Sequence, residues 1–413
     1  MIEFRRSHVL VALVATALLS QARATLAVIV AGNYEFTSDT TVNRTAPTDD
    51  PGFYNVGSVG SGAALYLGNN WVLAANHVTL GATSFSFPDP ANSANIVTGT
   101  YNIVSNSGVV LNNNSGPQQG TKSDLIMYRI DPASSPYGSP NLPQPILAQA
   151  APVFTDSVVG VGRGVDRQSS LTYWDNHMPT WNTTTAGSAV HTGYITDGPQ
   201  YMRWGDNQVS LTDQTYNLGT VAKPVYVQSF TTMFDRAGSG ATANEFQATL
   251  GDSGGGVFHK GADGIWTLTG MIDGLTLLTG QPYPSPQTAV FGDMSIIADL
   301  YFYRSQILAL NPLIGDANTD GIVNGQDASF IASHWLTAGP AGDLNGDGIV
   351  NGQDFVIVAS HWTIPKNGGG AGAGSGAGGG AAVPEPATGL LAAMGLLALL
   401  GRQILRRTAA IHR

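Results

Sequence analysis

The sequence predicts a mostly β domain followed by a small helical repeat. From Tyr54 to about Tyr303, short apolar or β-branched runs alternate with clusters of Gly, Asn, Pro and Ser. Such spacing is typical of antiparallel barrels or sandwiches and not of βαβ units. Only 11% of the residues are charged, and 52 are glycines, whereas an ordinary soluble domain has about 25% charged residues. The repeat lies near the C-terminus, where a segment beginning at Asp316 recurs from Asp343.

The composition excludes several classes of function. With 413 residues, the chain has room for two or three domains of about 100–200 residues each. The formal charge of −10 and the absence of a basic cluster outside the termini argue against a nucleic-acid partner. No cysteine is present, which excludes thiol catalysis, cysteine metal sites and disulfides.

Seven apolar runs are the clearest strand candidates of the β domain. They are residues 63–67, 71–74, 125–130, 158–161, 225–230, 255–258 and 266–272. An amphipathic helix is expected within residues 295–310, closing the domain near Pro312. The long stretch 163–213 is expected to be either an insertion that shapes substrate binding or an extra surface hairpin.

The N-terminus has the three parts of a secretory signal peptide. Arg5 and Arg6 precede an apolar run, and Ala22-Arg23-Ala24 provides a cleavage site of small residues. A membrane anchor is the alternative, although the run is shorter than the ~20 residues of a span. Residues 1–24 are therefore predicted to be removed on export, with cleavage after Ala24 or Ala27.

A glycine-rich stretch, LGDSGGGVF at residues 250–258, contains the first candidate for catalysis. A serine that attacks a carbonyl carbon needs its hydroxyl on a tight turn beside free backbone amides, and flanking glycines permit that backbone. Ser253 is the candidate nucleophile. The amides of Gly251 and Ser253 are the candidate oxyanion hole. A plain glycine turn between two strands is the alternative.

Two further stretches supply candidate partners for Ser253. WVLAANHV at residues 71–78 is an apolar strand that runs into His77, and KSDLIMYRI at 122–130 opens an apolar strand at Asp124. His77 is predicted to be the general base, and Asp124 to hold its imidazole tautomer. Taken singly, a half-buried histidine and a strand-capping carboxylate are the alternatives.

These three segments, in the order His, Asp, Ser, resemble the chymotrypsin/trypsin-like serine peptidases. The resemblance implies two six-stranded β-barrels with the active site between them, a C-terminal helix and catalysis without a cofactor. It also implies that an amine freed near Ile29-Val30-Ala31-Gly32 could pair with Asp252, although many bacterial relatives dispense with this switch.

The same resemblance indicates where the substrate pocket lies. Counting back from Ser253 puts Gln247 at the bottom of the pocket, and residues Ile272, Asp273 and Gly274 at its wall. The family has a Ser-aromatic-Gly run at the wall, so this segment departs from the pattern. Because Gln247 is not acidic, cleavage after Lys or Arg is disfavoured, unless Asp273 restores a negative charge. Small or uncharged side chains are the expected preference.

The C-terminal repeat has the ligand spacing of a calcium loop. Such loops take oxygen ligands at positions 1, 3, 5, 7, 9 and 12, with glycine at position 6 for the turn. The candidate ligands are Asp316, Asn318, Asp320, Ile322, Asn324 and Asp327 in the first loop, and Asp343, Asn345, Asp347, Ile349, Asn351 and Asp354 in the second. Two Ca²⁺ ions are therefore predicted, the isoleucines contributing backbone carbonyl oxygens.

Each loop precedes an apolar helix and ends in aspartate, a pattern that resembles a type I dockerin over residues 313–365. The resemblance implies a cohesin-like partner domain. A calcium-stabilised spacer without a partner is the alternative.

The last residues form a three-part tail. Residues 366–382 are almost purely Gly, Ala and Ser and are predicted to be a linker. Val383-Pro384-Glu385-Pro386, an uncharged run and an arginine-rich end then resemble the PEP-CTERM sorting signal of Gram-negative bacteria, of the planctomycete type. The resemblance implies processing by an exosortase-type enzyme and at least transient membrane anchoring through residues 383–413. An ordinary C-terminal anchor is the alternative.

Together, these features predict an exported serine endopeptidase of the cell envelope, with residues 28–312 as the catalytic domain and a protein or peptide as its substrate. The alternative is an inactive barrel scaffold that serves as a calcium-dependent surface or matrix binding protein.

Overall fold

The computed structural model describes residues 28–31, 42–87 and 99–362. The predicted signal peptide, linker and sorting segment lie outside these ranges, as does Gly32. The strands in the first half of the chain are β1 Ile29–Val30, β2 Val56–Val59, β3 Gly62–Tyr66, β4 Trp71–Ala75, β5 Ser84–Ser86, β6 Thr100–Ile103, β7 Val109–Asn112 and β8 Lys122–Asp131. The later strands are β9 Ser157–Gly162, β10 Thr172–Trp174, β11 His191–Ile195, β12 Arg203–Asn217, β13 Tyr226–Met233, β14 Phe246–Gln247, β15 Gly256–Lys260, β16 Trp266–Thr276, β17 Thr288–Val290 and β18 Met294–Asp299.

Among the residues that the structure describes, three α-helices follow the last strand: α1 Leu300–Leu310, α2 Gly325–Ser333 and α3 Gly352–Ser360. Short 3₁₀ turns occupy Phe53–Asn55, Asn76–Val78, Gly116–Gln118, Pro132–Ser134 and Ala186–Ser188.

The first barrel is built from the N-terminal strands. They pair in the order β4-β3-β2-β5-β6-β8, and an additional pairing of β4 with β8 links the two ends into a ring of six. Strand β7 joins this ring on β8. Apolar side chains from these strands form one buried cluster that continues onto α1 through Leu300, Tyr303 and Ile307. The first barrel and the final helix of the β domain therefore share a core.

The second barrel is closed by the strands in the order β12-β13-β18-β16-β15-β9. Its interior holds a separate apolar cluster that includes Val158, Phe230, Val257 and Ile297. The double six-stranded barrel expected from the resemblance is confirmed. The long stretch 163–213 contributes β10 and β11, which form a small sheet with β17, and the first part of β12.

The closing helix is shorter than the sequence analysis expected. Residues 295–299, which it included in the helix, belong to β18, which pairs with both β13 and β16. The β-branched Ile296 and Ile297 fit a strand buried between two neighbours. Asp299 then ends the strand and caps the helix, since its carboxylate accepts a hydrogen bond from Tyr301 N (2.9 Å).

The C-terminal repeat folds as two loop-helix units that share a small core of Leu313, Val323, Ile331, Val350 and Val358. The core also receives Leu308 of α1. From the same helix, Arg304 Nη2 donates to the carbonyl oxygen of Asp320 in the first loop (2.5 Å). The last helix of the barrel domain is therefore in contact with the first calcium loop.

Within residues 28–31, 42–87 and 99–362, no helix combines the length and the hydrophobicity that crossing a membrane requires.

Candidate active site

Strand register brings His77 and Asp124 together. Strands β4 and β8 are antiparallel, and Ala75 lies opposite Leu125. In an antiparallel pair, residues that follow one partner face residues that precede the other. His77, in the 3₁₀ turn directly after β4, therefore meets Asp124, which precedes Leu125 in β8.

Asp124 holds His77 by two hydrogen bonds. Its Oδ1 accepts from the backbone N–H of His77 (3.1 Å), and its Oδ2 contacts Nδ1 of the imidazole. Asp124 is buried, with 4% of its surface exposed, whereas the side chain of His77 is 47% exposed. The bond at Nδ1 fixes the ring orientation, and Nε2 takes no part in this contact.

Ser253 lies in the loop that joins β14 to β15, where this loop meets the first barrel. Its carbonyl oxygen accepts a hydrogen bond from Ala63 N of the first barrel (2.9 Å). Gly62 lies close to both Ser253 and Val78. A Cβ atom at this position would be 2.7 Å from Ser253 O and 2.8 Å from Cγ1 of Val78. Since Val78 is the neighbour of His77, the loop and the histidine turn meet at one place. The hydroxyl of Ser253 donates to Asp273 O (3.5 Å).

The backbone around Ser253 presents two free amides. Gly251 and Gly254 have φ angles of +99° and +94°, which glycine adopts without steric cost. The amides of Asp252, Gly254 and Gly255 each donate to a backbone carbonyl. Those of Gly251 and Ser253 donate to no acceptor in the described part of the chain. The two amides predicted to form the oxyanion hole are thus the unengaged ones.

Asp252, the neighbour of Ser253, is fully buried. Its Oδ2 accepts from both the amide (2.7 Å) and the hydroxyl (3.1 Å) of Thr249, and burial raises its pKa to about 7. A Cβ atom at Gly162 would lie 2.3 Å from Asp252 Oδ1 and 2.8 Å from Cγ1 of Val28. Val28, where the described chain begins, therefore borders the same space as this carboxyl group.

The residues predicted for the substrate pocket are mostly enclosed. Gln247 is 1% exposed, and its Oε1 accepts from Ser295 Oγ (3.1 Å). Ile272 belongs to the interior cluster of the second barrel. Of the four residues, only Gly274 is partly exposed.

Asp273 requires a correction. The sequence analysis placed it at the pocket wall, but its carboxyl group is buried close to His77 and Asp124. One potential ligand atom from each of these three residues lies within 4.8 Å of the other two. In the sequence, the only sign that Asp273 differs from a pocket-wall residue is the departure from the family's Ser-aromatic-Gly run.

The two calcium loops repeat one pattern of hydrogen bonds. In the first, Asp316 accepts from the amides of Asp320 (3.1 Å) and Gly321 (2.7 Å), and Asn318 Oδ1 accepts from Asp320 N (2.9 Å). In the second, Asp343 and Asn345 accept the equivalent bonds. The side-chain oxygens at positions 1, 3 and 5 are thereby drawn into one turn.

The later ligand positions of each loop also serve the following helix. Asn324 and Asn351 cap α2 and α3, and Asp327 and Asp354 complete a capping box. Asp327 Oδ1 additionally accepts from Ala317 N (2.8 Å), which ties the end of the loop to its beginning.

The charges of the first loop fit a hard cation. Burial raises the pKa of Asp316 to about 6, and the nearby carboxylates of Asp327 and Asp320 contribute to this rise. Converging oxygen ligands whose negative charges oppose one another are the donor set that Ca²⁺ takes. Asp316, Asn318 and Asp320 would bind it through their side chains.

Two six-stranded barrels, with a histidine, an aspartate and a serine near one another, form the architecture that the resemblance to trypsin-like peptidases implied. Residues 314–361 match the family model of the dockerin type I domain, and residues 382–407 match that of the PEP-CTERM protein-sorting motif. The first family typically binds calcium, and the second indicates export to the cell envelope. A search of curated proteins found no match to this chain.

Similar solved structures include an inactive form of the Rv3671c protease of M. tuberculosis, mouse neuropsin, described as a serine protease expressed in the limbic system of the brain, and a mutant of human heparin binding protein. Their sequence identities to this chain are 11%, 14% and 14%, with TM-scores of 0.34, 0.36 and 0.37. The matches cover 63%, 65% and 66% of this chain, and 90%, 97% and 97% of the other chains.

Two buried carboxyl groups of the second barrel predict how stability depends on pH. Burial raises the pKa of Glu245 and of Asp293 to about 7, above the unfolded values of about 4. The folded state therefore keeps protons that the unfolded state releases between pH ~4 and ~7. The resulting stabilisation is complete below pH ~4 and is lost as the pH rises through ~7. We expect the unfolding temperature to fall by several degrees from pH 5 to pH 8, measured by scanning calorimetry at constant calcium.

The variants Glu245→Gln and Asp293→Asn cannot ionise and are expected to flatten this dependence. An unfolding temperature that rises over the same interval would contradict the assignment.

Proposed function

We propose that the chain is an exported serine endopeptidase in which His77, Asp124 and Ser253 form the catalytic triad. The observation that carries this proposal is the pairing of Asp124 with both the backbone and Nδ1 of His77, beside a serine whose loop offers two free amides. Residues 28–312 would form the catalytic domain. No metal ion takes part in this reaction scheme.

The geometry supports acyl transfer in two steps. Nε2 of His77 takes the proton of Ser253 Oγ, and the oxygen attacks the carbonyl carbon of the substrate. The amides of Gly251 and Ser253 stabilise the oxyanion that forms, and Asp124 stabilises the imidazolium. His77 then gives the proton to the leaving amine, and water releases the acyl group by the same steps. For the first step, the hydroxyl turns from Asp273 O towards Nε2, a hydrogen bond that often tightens only when substrate binds.

A fluorophosphonate probe tests the proposal directly. The serine oxygen attacks phosphorus, fluoride leaves, and the proton passes to the histidine. We expect the mature, calcium-loaded protein to be labelled at Ser253, as read by mass spectrometry of the labelled peptide. Labelling should vanish in Ser253→Ala, with Ser239→Ala, in a loop outside the cleft, as the matched control that keeps it.

If the folded wild-type protein is not labelled, the catalytic proposal fails. The barrel would then be an inactive scaffold, and the calcium module would carry the binding function.

The mature chain is proposed to begin at Val28. Cleavage after Ala27 would release an amine next to the space shared by Val28 and Asp252, where Asp252 Oδ1 has no partner among the described residues. An ion pair between this amine and the carboxylate of Asp252 would stabilise the loop that carries Ser253. We expect a chain that starts at Val28 to be labelled at least ~10-fold faster than one that retains residues 25–27, because a buried ion pair that loses one partner costs about 3–5 kcal/mol, and about 1.4 kcal/mol already corresponds to a tenfold change. Equal rates would show that the loop needs no freed amine.

The C-terminal quarter of the chain would deliver the enzyme to the envelope. We propose that residues 313–365 bind two Ca²⁺ ions and present a surface to a cohesin-like domain. Residues 366–382 would link this module to residues 383–413, which an exosortase-type enzyme would process at the membrane. The substrate would be a protein or peptide, and cleavage after small or uncharged residues is favoured, because Gln247 carries no charge to bind Lys or Arg.

A further inference from the structure

A second carboxyl group, that of Asp273, lies against the triad aspartate. Asp273 is 2% exposed, and neither of its side-chain oxygens receives a hydrogen bond from a described donor. A carboxyl oxygen of Asp273 lies within 4.8 Å of a carboxyl oxygen of Asp124. Two ionised carboxylates this close repel each other and can only accept hydrogen bonds, so a hydrogen bond between them forms only if one of the two keeps a proton.

The backbone places Asp273 in contact with all three members of the triad. A β-bulge between Ile272 and Gly274 leaves Asp273 without a partner on β18. Gly254 N donates to Ile272 O (2.7 Å), and Ile272 N donates to Gly255 O (2.8 Å), which fixes the bulge beside the nucleophile loop. The carbonyl oxygen of Asp273 accepts from Ser253, while its carboxyl group reaches Asp124 and His77.

The surroundings assign the shared proton to Asp273. Asp124 already accepts hydrogen bonds from the amide and the imidazole of His77, so donors face its oxygens. Asp273 has no such donors, and no lysine or arginine of the described residues forms an ion pair with it. Burial, and then the negative charge of Asp124, raise the pKa of Asp273 well above its usual range.

Tyr303, a further titratable neighbour of Asp273, is uncharged. Tyr303 of α1 approaches Asp273 from the side of the first barrel, and burial raises its pKa. Its hydroxyl donates to Asn113 Oδ1 (2.8 Å) and accepts from Gln228 N (3.0 Å). Tyr303 therefore supplies no charge that could stabilise an ionised Asp273.

We propose that Asp273 is a positioning residue of the triad: it stays protonated at neutral pH and donates its O–H to the Asp124 carboxylate, holding that carboxylate against Nδ1 of His77. The inference rests on the proposed peptidase function, since it concerns the same site.

A pair of uncharged variants separates the hydrogen bond from the charge. Asn at position 273 still donates from Nδ2, whereas Leu of similar size does not. We expect Asp273→Asn to be labelled by the fluorophosphonate probe within a few-fold of the wild-type rate. Asp273→Leu should be labelled about 10- to 100-fold more slowly, the loss expected when a hydrogen bond to a charged group is removed. Equal losses in both variants would overturn the proposal.

The pH profile of labelling gives a readout that a purely structural role would not move. If Asp273 is neutral in the wild-type protein, the acid limb of the profile keeps its position in Asp273→Asn. If Asp273 were ionised, it would stabilise the imidazolium, and its removal would shift the acid limb to lower pH by about one to three units. Such a shift would refute the assignment of the proton.

Infrared spectroscopy tests whether the carboxyl group of Asp273 is protonated, without requiring a reaction at Ser253. The difference spectrum between wild type and Asp273→Asn at pH 7 should show the carbonyl band of a protonated carboxyl group. Other buried acids, such as Glu245 and Asp293, cancel in this difference. A carboxylate band instead would overturn the proposal. Absence of labelling in the wild-type protein would refute the peptidase function, yet the infrared result would still decide the state of Asp273.

Discussion

Replacement of Asp124 by asparagine is expected to lower the rate of acyl transfer about 10⁴-fold while leaving the fold intact. The asparagine side chain has the same shape, but its Nδ2–H would face Nδ1 of His77 and favour the tautomer with the proton on Nε2. Nε2 could then no longer accept the proton of Ser253. The rate of fluorophosphonate labelling and the hydrolysis of a peptide library measure the effect.

Asp131 provides a matched control at the other end of β8. Its carboxylate accepts from Ala133 N (2.9 Å) and caps the 3₁₀ turn Pro132–Ser134, remote from the cleft. Asp131→Asn should therefore keep the wild-type labelling rate. A loss of less than tenfold in Asp124→Asn, with an unchanged unfolding temperature, would contradict the role of Asp124 as the residue that fixes the histidine tautomer.

Removal of calcium is expected to unfold the C-terminal module. Its core consists of only five buried side chains, too few to support a domain of this size without a bound metal. Without Ca²⁺, the opposed carboxylates of Asp316, Asp320 and Asp327 lose the charge that draws them together. We expect chelation to abolish the helical circular dichroism of α2 and α3 and to expose the module to limited proteolysis.

Calorimetric titration can count the ions. The full mature chain should bind two Ca²⁺ ions, Asp316→Ala and Asp343→Ala should each bind one, and the double variant none. The two single variants serve as controls for each other, because the loops have the same hydrogen-bond pattern. Unchanged stoichiometry in both would refute the assignment of these aspartates. Labelling of Ser253 should persist in all of them, since the barrels have cores of their own.

The three residues of the proposed triad could be singled out in the sequence because each lies in a local motif. His77 follows an apolar strand, Asp124 opens one, and Ser253 stands among glycines. These local contexts are the same in the folded chain, and strand register then brings His77 and Asp124 together. The structure brings the predicted groups to one cleft through the Ala75–Leu125 pairing and the hydrogen bond from Ala63 to Ser253.

The features that sequence reasoning missed depend on backbone geometry that has no local signature. The bulge at Asp273 turns a carboxyl group towards Asp124, and counting residues from a family motif cannot detect it. Similarly, residues 295–299 have apolar spacing that suits a helix, but two neighbouring strands pair with this segment and override that preference.

The hydrogen bond from Arg304 to the carbonyl oxygen of Asp320 joins the barrel domain to the first calcium loop. Calcium binding therefore affects where the protein completes its folding. Loops of this kind in modules that work outside the cell saturate only at about 10⁻⁴–10⁻³ M calcium, far above the levels to which cytosolic sensors respond. A chain still inside the cell would carry the first loop unformed, and the outer face of α1 would lack its neighbour. In a calcium-rich medium the loop would fold and pack against that helix. Export would therefore supply the last stabilising step of folding.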